Sequence, residues 1–560
     1  MSFPKQFTQP DKQNVRFQVV FRSHLSFAVV MAGALLALYN VRFWHSTFAA
    51  LWNGSVMDSL FIASLFVILL ILYSSFFLLI PGRRALKIVA ICSFIIATFA
   101  SYSADTYGIF IDRDMVRNLF ETDKREVGAL LNLRFFAYAA LLGALPCFLI
   151  LRCHIQPYGI TQRLKHGILF LVGGTALCVF LVFAFSAHYS SFLRKHKPLR
   201  YLLTPAAAVQ GTIQYARSII PDAHANLLVD KTGTTIRPAA NAGDKPLLMF
   251  LVVGETARAQ NFQLGGYQRP TNPELSNIDG LFYFNNVSSC GTSTAISLPC
   301  MFSHLQRDNF SVSAAARTTN LLDALKKAGV KVEWRDNNSG SKGVSARITT
   351  ITYSPNDYTD KCNAESCFDE VMLKGLNERI NATREDTVLV FHQVGSHGPA
   401  YANRYPQAFE KFTPVCRTNE LNECTDAEIR NAYDNTILYT DHNIAQQIKL
   451  LQSMSDRFDS LLIYVSDHGE SLGEKSLYLH GAPYVFAPDE QKKVPFMVWM
   501  SDGYRKRNHV NQQCLKSLLS RAYSHDNLYH TVLGSMSIKN DVYNKELDIW
   551  AECRVGANDS

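Results

Sequence analysis

The 560-residue chain has no glycine-rich phosphate loop, no internal repeat, no heptad run and no nucleic-acid-binding module. Those absences set aside P-loop nucleotide chemistry, solenoids, coiled coils and nucleic-acid partners. Nor do its twelve cysteines show CxxC…CxxC spacing, which disfavours a thiolate zinc site. Charge is nearly missing from five runs at about 25–41, 59–80, 88–104, 135–151 and 167–187. Each is about 17 residues or longer, which at about 1.5 Å per residue covers most of a ~30 Å hydrocarbon core. Five such runs in series, broken by fairly short polar loops, read as transmembrane helices rather than buried soluble ones. A polar stretch precedes the first run and no A-x-A site follows it, so a cleavable signal peptide is not expected.

Orientation follows from lysine and arginine near the spans. Lys5, Lys12, Arg16 and Arg22 precede the first, Arg83, Arg84 and Lys87 fill the second loop, and Arg152, Arg163 and Lys165 the fourth. The first loop, His45–Asp58, has none. The alternation predicts a cytoplasmic N-terminus and, after five spans, an external C-terminal half. Arg194, Lys195, Lys197 and Arg200 argue the other way, a conflict that large translocated domains commonly override. Cysteines agree with the external assignment. Cys92, Cys147, Cys153 and Cys178 lie in or beside the apolar runs and can be inert thiols, while eight fall in the C-terminal half, mostly closely spaced. The expected bridges are Cys290–Cys300, Cys362–Cys367, Cys416–Cys424 and Cys514–Cys553, in an oxidising compartment. A net charge of +8 suits a surface facing anionic lipid but decides little.

Residues 1–190 therefore form the expected membrane domain. Residues 191–244 combine interfacial helices with a linker, DKTGTTIRPAANAGD, and 245–560 form the external domain. From Lys245 onward strand-like and helical stretches alternate, which predicts an α/β domain with a mostly parallel sheet. Two of its apolar strands run into metal-ligand residues: PLLMFLVVGET into Glu255, and LLIYVSDHGES into Asp467 and His468. The carboxyl ends of strands are where an α/β sheet places its site. In NVSSCGTSTAISLPC, Cys290 and Cys300 bracket small hydroxyl residues, so a disulfide there would present Thr292, Ser293 or Thr294 rigidly. Such a hydroxyl is a weak nucleophile until a metal activates it. Three oxygens and an imidazole suit four-coordinate zinc, with manganese or magnesium as alternatives. His397 in VGSHGP and His480 in HGAP add imidazoles suited to transfer of a phosphorus group.

VGETAR (253–258), SCGTSTAISLPCMF (289–302), VGSHGP (394–399) and SDHGESLG (466–473) resemble, in order and spacing, the signature blocks of the lipid A phosphoethanolamine transferases, the family behind polymyxin and colistin resistance. The resemblance covers nearly the whole chain. It implies an alkaline phosphatase/sulfatase-like catalytic domain that moves phosphoethanolamine from phosphatidylethanolamine to a lipid A phosphate through a phosphoethanolamine-threonine intermediate. It makes Thr294 the nucleophile and Glu255, Thr294, Asp467 and His468 the ligands of one zinc ion. His397 and His480 become pocket histidines that can hold a second zinc or the transferred phosphate. The segment DNNSGSK implicates Asn338, Ser339 and Lys342 in substrate contact, beside Thr292. The segment 114–126 implicates Asn118, Thr122 and Glu126, which at i, i+4 and i+8 would also share an ordinary solvated helix face. Several relatives carry a further cysteine pair where this chain has Ser341 and Ser345. A monomer in the Gram-negative inner membrane, with its catalytic domain in the periplasm, is expected.

Three rivals remain open at this level. A hydrolase of the same fold would not need five spans, and a sulfatase would need a C-x-P-x-R that the nucleophile loop lacks. The same chemistry could serve a lipopolysaccharide core sugar, another glycan or a phosphatidylglycerol donor. A silent lipid-binding sensor would have no use for the full ligand set.

Overall fold

The computed structural model describes residues 19–52, 54–121, 131–157, 159–219, 228–238, 243–363, 366–474 and 477–554. It divides into two compact units, Met1–Tyr102 with Arg134–Ala206, and Ser103–Leu133 with Ala207–Ser560. The segment between two candidate spans thus clusters with the C-terminal half.

In the first unit, α1 (His24–Leu38) and α2 (Val41–Leu51) meet at a 65° bend. They are followed by α3 (Val56–Leu78) and α4 (Arg83–Tyr107). Then come α5 (Arg113–Glu121) in the second unit, α6 (Leu133–Arg152) and α7 (Ile160–Ala184). Four described helices are long and apolar enough to cross a membrane, or five if the bent pair is one span. The loop expected from His45 is helical as far as Leu51, because Asn40 turns the chain without ending it. Its side chain donates to Leu35 O at 2.8 Å and Thr204 O at 3.0 Å and accepts from Thr204 N at 2.8 Å. Those bonds satisfy the backbone groups that a helix break exposes.

The second unit is built on an eight-stranded sheet. Its strands are β1 (Leu247–Gly254), β2 (Leu281–Ser288), β3 (Lys331–Asp336), β4 (Thr349–Thr352), β5 (Thr387–His392), β6 (Asp459–Ser466), β7 (Lys493–Met500) and β8 (Tyr523–Ser524). The spatial order is β8-β2-β7-β6-β1-β5-β3-β4, with β6-β1-β5-β3-β4 all parallel and β7 antiparallel to both neighbours. Every residue of β1, β5 and β6 is buried, as central strands covered on both faces require. Leu247, Met249, Leu251 and Val253 pack in one cluster with Leu322, Leu325, Val532 and Leu533, and the alternate residues of β1 are buried on the other side. There a 28-residue helix, Asp426–Ser453, packs on β6. Four disulfides, Cys290–Cys300, Cys362–Cys367, Cys416–Cys424 and Cys514–Cys553, staple the loops. Cys92, Cys147, Cys153 and Cys178 are free.

The stretch with linker composition lies along this unit. Val229 N donates to Arg317 O at 2.7 Å, Ile236 N to Lys539 O at 2.8 Å, and the Lys327 ammonium to Asp230 at 2.6 Å. Glycine, proline and threonine here suit irregular backbone following a surface, not only free chain.

Candidate active site

Parallel register places the functional residues at one end of the sheet. β1 pairs with β6 so that Gly254 faces Ser466, and the next residues, Glu255 and Asp467, leave the two strands side by side. The nucleophile loop follows β2 and is pinned by Cys290–Cys300, which brackets the start of the helix Thr294–Met301.

These elements converge on one cluster. The Thr294 hydroxyl donates to Glu255 at 3.1 Å (Oε1), with Oε2 at 3.3 Å, and lies 3.4 Å from His468 Nε2. His468 Nε2 is 3.4 Å from both Glu255 Oε1 and Asp467 Oδ2. His468 Nδ1 donates to Gly469 O at 2.9 Å, which leaves Nε2 as the nitrogen with a lone pair for a ligand. Asp467 Oδ1 accepts from the backbone of Thr256 (3.1 Å) and His468 (2.8 Å). Asp467 Oδ2 is buried with no hydrogen-bond partner among the described residues. Burial, then the neighbouring Asp467, pushes the Glu255 carboxyl well above its usual range, and burial lowers His468 to about 4. Two buried carboxylates and a neutral imidazole, with no lysine or arginine paired to them among the described residues, lack a positive charge. A divalent cation fits that deficit, and the orphaned Asp467 oxygen supplies the observation that asks for it.

Around the cluster, Asn338 Nδ2 donates to Glu255 Oε2 at 2.7 Å and to Gln393 O at 2.8 Å. Ser339 N donates to Asn338 Oδ1 at 2.7 Å, and Lys342, at a left-handed φ of 49°, donates to Ser339 Oγ at 3.1 Å. Where relatives were expected to have a cysteine pair, Ser345 Oγ donates to Ser341 Oγ at 2.8 Å, so hydrogen bonds hold the loop. The Thr292 hydroxyl donates to Ala482 O at 2.6 Å, tying the nucleophile loop to the segment after His480. The His480 ring centre lies 4.4 Å from that of His468 and 5.2 Å from that of His397. Glu470 accepts from His480 Nδ1 at 2.9 Å and from Tyr401 OH at 2.7 Å, which orients the ring and leaves Nε2 to meet a ligand. Asn118 is half-buried on α5, whose first turn borders the nucleophile loop. Thr122 and Glu126 lie outside the described residues.

Sequence reasoning missed three supports. His392 ends β5, with Nδ1 donating to Asp336 at 3.2 Å and Nε2 3.9 Å from Glu255. Glu470, two residues past His468, is the second. The third is His525, fully buried. Its Nδ1 accepts from Cys290 N at 3.1 Å and its Nε2 donates to Ser466 O at 2.9 Å. Ser297, one turn after Thr294, lies 3.1 Å from the same Nδ1 and donates to Asp467 O. His525 thus registers the nucleophile helix against the strand that delivers Asp467. The strand-end rule that flagged Glu255 would also have found Asp336 and His392. Nothing local marks His525.

Two family descriptions match the chain: phosphoethanolamine transferase EptA/EptB over residues 65–219 and sulfatase over 248–538. The phosphoethanolamine transferase EptA of Escherichia coli K12 is 37% identical over 545 residues, spanning 94% of this chain and 97% of that protein. The phosphatidylethanolamine transferase Mcr-1 of Escherichia coli is 42% identical over 75% of this chain and 80% of its own. Among solved structures, the integral membrane lipooligosaccharide phosphoethanolamine transferase A of Neisseria meningitidis superposes with a TM-score of 0.89 at 34% identity, covering 96% of this chain and 99% of that one. With both regions matched and relatives aligned nearly end to end, the chain belongs to the EptA/Mcr-type phosphoethanolamine transferases.

Proposed function

We propose that this transferase takes phosphoethanolamine from phosphatidylethanolamine, carries it on Thr294, and delivers it to a phosphate group of lipid A. The added ammonium lowers the negative charge of the outer membrane, and polymyxin resistance follows because cationic peptides bind it less well. The observation that carries the reading is the Thr294 hydroxyl donating to Glu255 at 3.1 Å inside a buried cluster where Asp467 Oδ2 has no hydrogen-bond partner among the described residues. The residues that would hold a metal ion are Glu255, Asp467, His468 and the Thr294 oxygen, a set of three oxygens and one imidazole that suits zinc. Bound there, zinc supplies Lewis acidity that lowers the pKa of a hydroxyl and offsets developing negative charge.

The chain's own residues do the rest. Thr294 Oγ, its proton given up along the hydrogen bond to Glu255, forms a bond to the donor phosphorus while the bond from phosphorus to the glycerol oxygen breaks. His397 or His480, the latter oriented by Glu470, supplies the proton that the departing diacylglycerol oxygen takes. In the second step a lipid A phosphate oxygen bonds to phosphorus and the bond to Thr294 Oγ breaks. Asn338 holds Glu255 in place, and Lys342 and Ser339 contact the phosphate. Substrate contact is also assigned to Asn118, Thr122 and Glu126. A second zinc at His397 and His480 is part of the reading, as is a monomer with its N-terminus in the cytoplasm and the catalytic unit in the periplasm. The phosphoethanolamine named in the relatives favours this donor group over phosphoglycerol.

The test expresses wild-type and Thr294→Ala chains in a polymyxin-sensitive Gram-negative host and weighs lipid A. The wild type adds one phosphoethanolamine and Thr294→Ala adds none. Unmodified lipid A with wild-type enzyme present in the membrane would remove the acceptor assignment.

A further inference from the structure

A cavity of about 250 Å3 lies beside the nucleophile loop, within the C-terminal unit. Thr292 and Ser293, the two residues before Thr294, form part of its wall, and the segment 481–484 after His480 forms another. The remaining walls bring three arginines together: Arg307, and Arg113 and Arg117 from the segment between two candidate spans. Two carboxylates also line it, and both are engaged. Asp112 Oδ1 caps α5 by accepting from the backbone of Asp114 (3.0 Å) and Met115 (2.8 Å), and Asp114 is paired with Arg113 at 2.9 Å.

Arg307 is held differently. Its guanidinium carbon sits 3.5 Å from the ring centre of Tyr484, a stack that fixes the group without using its N–H donors. Its Nε is buried with no hydrogen-bond partner among the described residues. Two carboxylates lie near it: Asp308, 91% exposed, at 3.6 Å from the guanidinium, and Asp526, which accepts from the Arg307 backbone N–H at 2.9 Å. A stacked guanidinium with unused donors is built for two-pronged recognition of an oxyanion. The volume is below that of a typical pocket for a drug-sized ligand, so it fits a headgroup phosphate rather than a whole acylated sugar.

We propose that this cavity is the acceptor subsite: Arg307, with Arg113 and Arg117 beside it, holds the phosphate monoester of the second lipid next to the loaded Thr294. The inference rests on the transfer reading above. The donor's phosphorus must meet Thr294 within the Glu255–Asp467–His468 cluster, so a second anion needs a cationic seat of its own. A phosphate monoester carries close to two negative charges at neutral pH, and the guanidinium groups supply its hydrogen-bond donors, with Arg307 stacked on Tyr484 and Arg113 shared with Asp114.

The full-length enzyme in mixed vesicles of phosphatidylethanolamine and lipid A tests this, with diacylglycerol release and modified lipid A measured separately. For Arg307→Gln, KM for lipid A is expected to rise at least tenfold more than KM for phosphatidylethanolamine. Arg307→Lys, which keeps charge but not the fork, falls between. Arg113→Gln gives the same asymmetry in smaller degree and serves if Arg307→Gln does not fold. Equal rises in both KM values, or a rise confined to the donor, would overturn the assignment, as would no change in either. A wild-type enzyme that releases no diacylglycerol would sink the transfer reading and this subsite with it, an outcome distinct from loss of the asymmetry alone.

Discussion

His525 makes the energetics of the site measurable without touching the reacting groups. Replacing it with leucine removes the acceptor for Cys290 N–H and the donor to Ser466 C=O, both in a fully buried setting. Each buried backbone group left without a partner costs about 1–3 kcal/mol, so His525→Leu is expected to cost about 2–6 kcal/mol, a large share of an ordinary domain's stability. His525→Asn keeps an acceptor near the position of Nδ1 and loses the donor end, so about half that cost remains. Burial holds the imidazole down to about 4 from its ordinary 6.5. Between about pH 4 and 6.5 the folded state therefore keeps His525 neutral while the unfolded state takes up the second ring proton. Stability from this group is fully present above pH 6.5 and declines by about 3 kcal/mol as pH falls toward 4. Denaturant unfolding of the full-length chain in micelles at several pH values reads both effects. Wild type should lose stability between pH 6.5 and 4 more steeply than His525→Asn. Transfer activity should fall in the order wild type, asparagine, leucine, because the Thr294 helix loses its register on Asp467. A leucine variant as stable and active as wild type would refute the positioning role.

Two further substitutions probe the cluster itself. Asn338→Ala removes a hydrogen bond to a carboxylate acceptor (2.7 Å to Glu255), worth about 1.5–3 kcal/mol, and should weaken binding of the proposed zinc ion about 10–100-fold in competition with a chromophoric chelator. Unchanged affinity would show that Glu255 is oriented without it. Gly395 has a φ of 51°, and a Cβ there would lie 2.7 Å from Glu255 O, so Gly395→Ala should displace the Glu255 backbone and abolish transfer. Full activity in that variant would contradict the tight packing behind the ligand.

The site is legible in the sequence where local pattern and chemistry coincide. The strands ending at Glu255 and Asp467 are apolar because both faces are covered, and their ligands stand out against that background. The cysteine-bracketed loop drew attention to Thr294 for the same reason. His525 was hidden because it reaches Cys290 across 235 residues of chain and is an unremarked histidine before a helix. The bend at Asn40 was hidden because its partner, Thr204, lies 164 residues away. Composition suggested a free linker at 230–244, yet backbone bonds of Thr232 to Asp541 and of Ile236 to Lys539 hold parts of it on the catalytic unit, and such bonds leave no compositional trace.

Glu255 and His468 lie within 3.4 Å of one hydroxyl, that of Thr294, so the most direct measurement is where the transferred group rests between lipids. Full-length enzyme incubated with phosphatidylethanolamine and no acceptor, then digested and weighed, should carry one phosphoethanolamine on the peptide bearing Thr294. The group should disappear when lipid A is added, and Thr294→Ala should never acquire it. An adduct on Thr292 or Ser293, or modified lipid A formed with no enzyme-bound group at any time, would contradict the account.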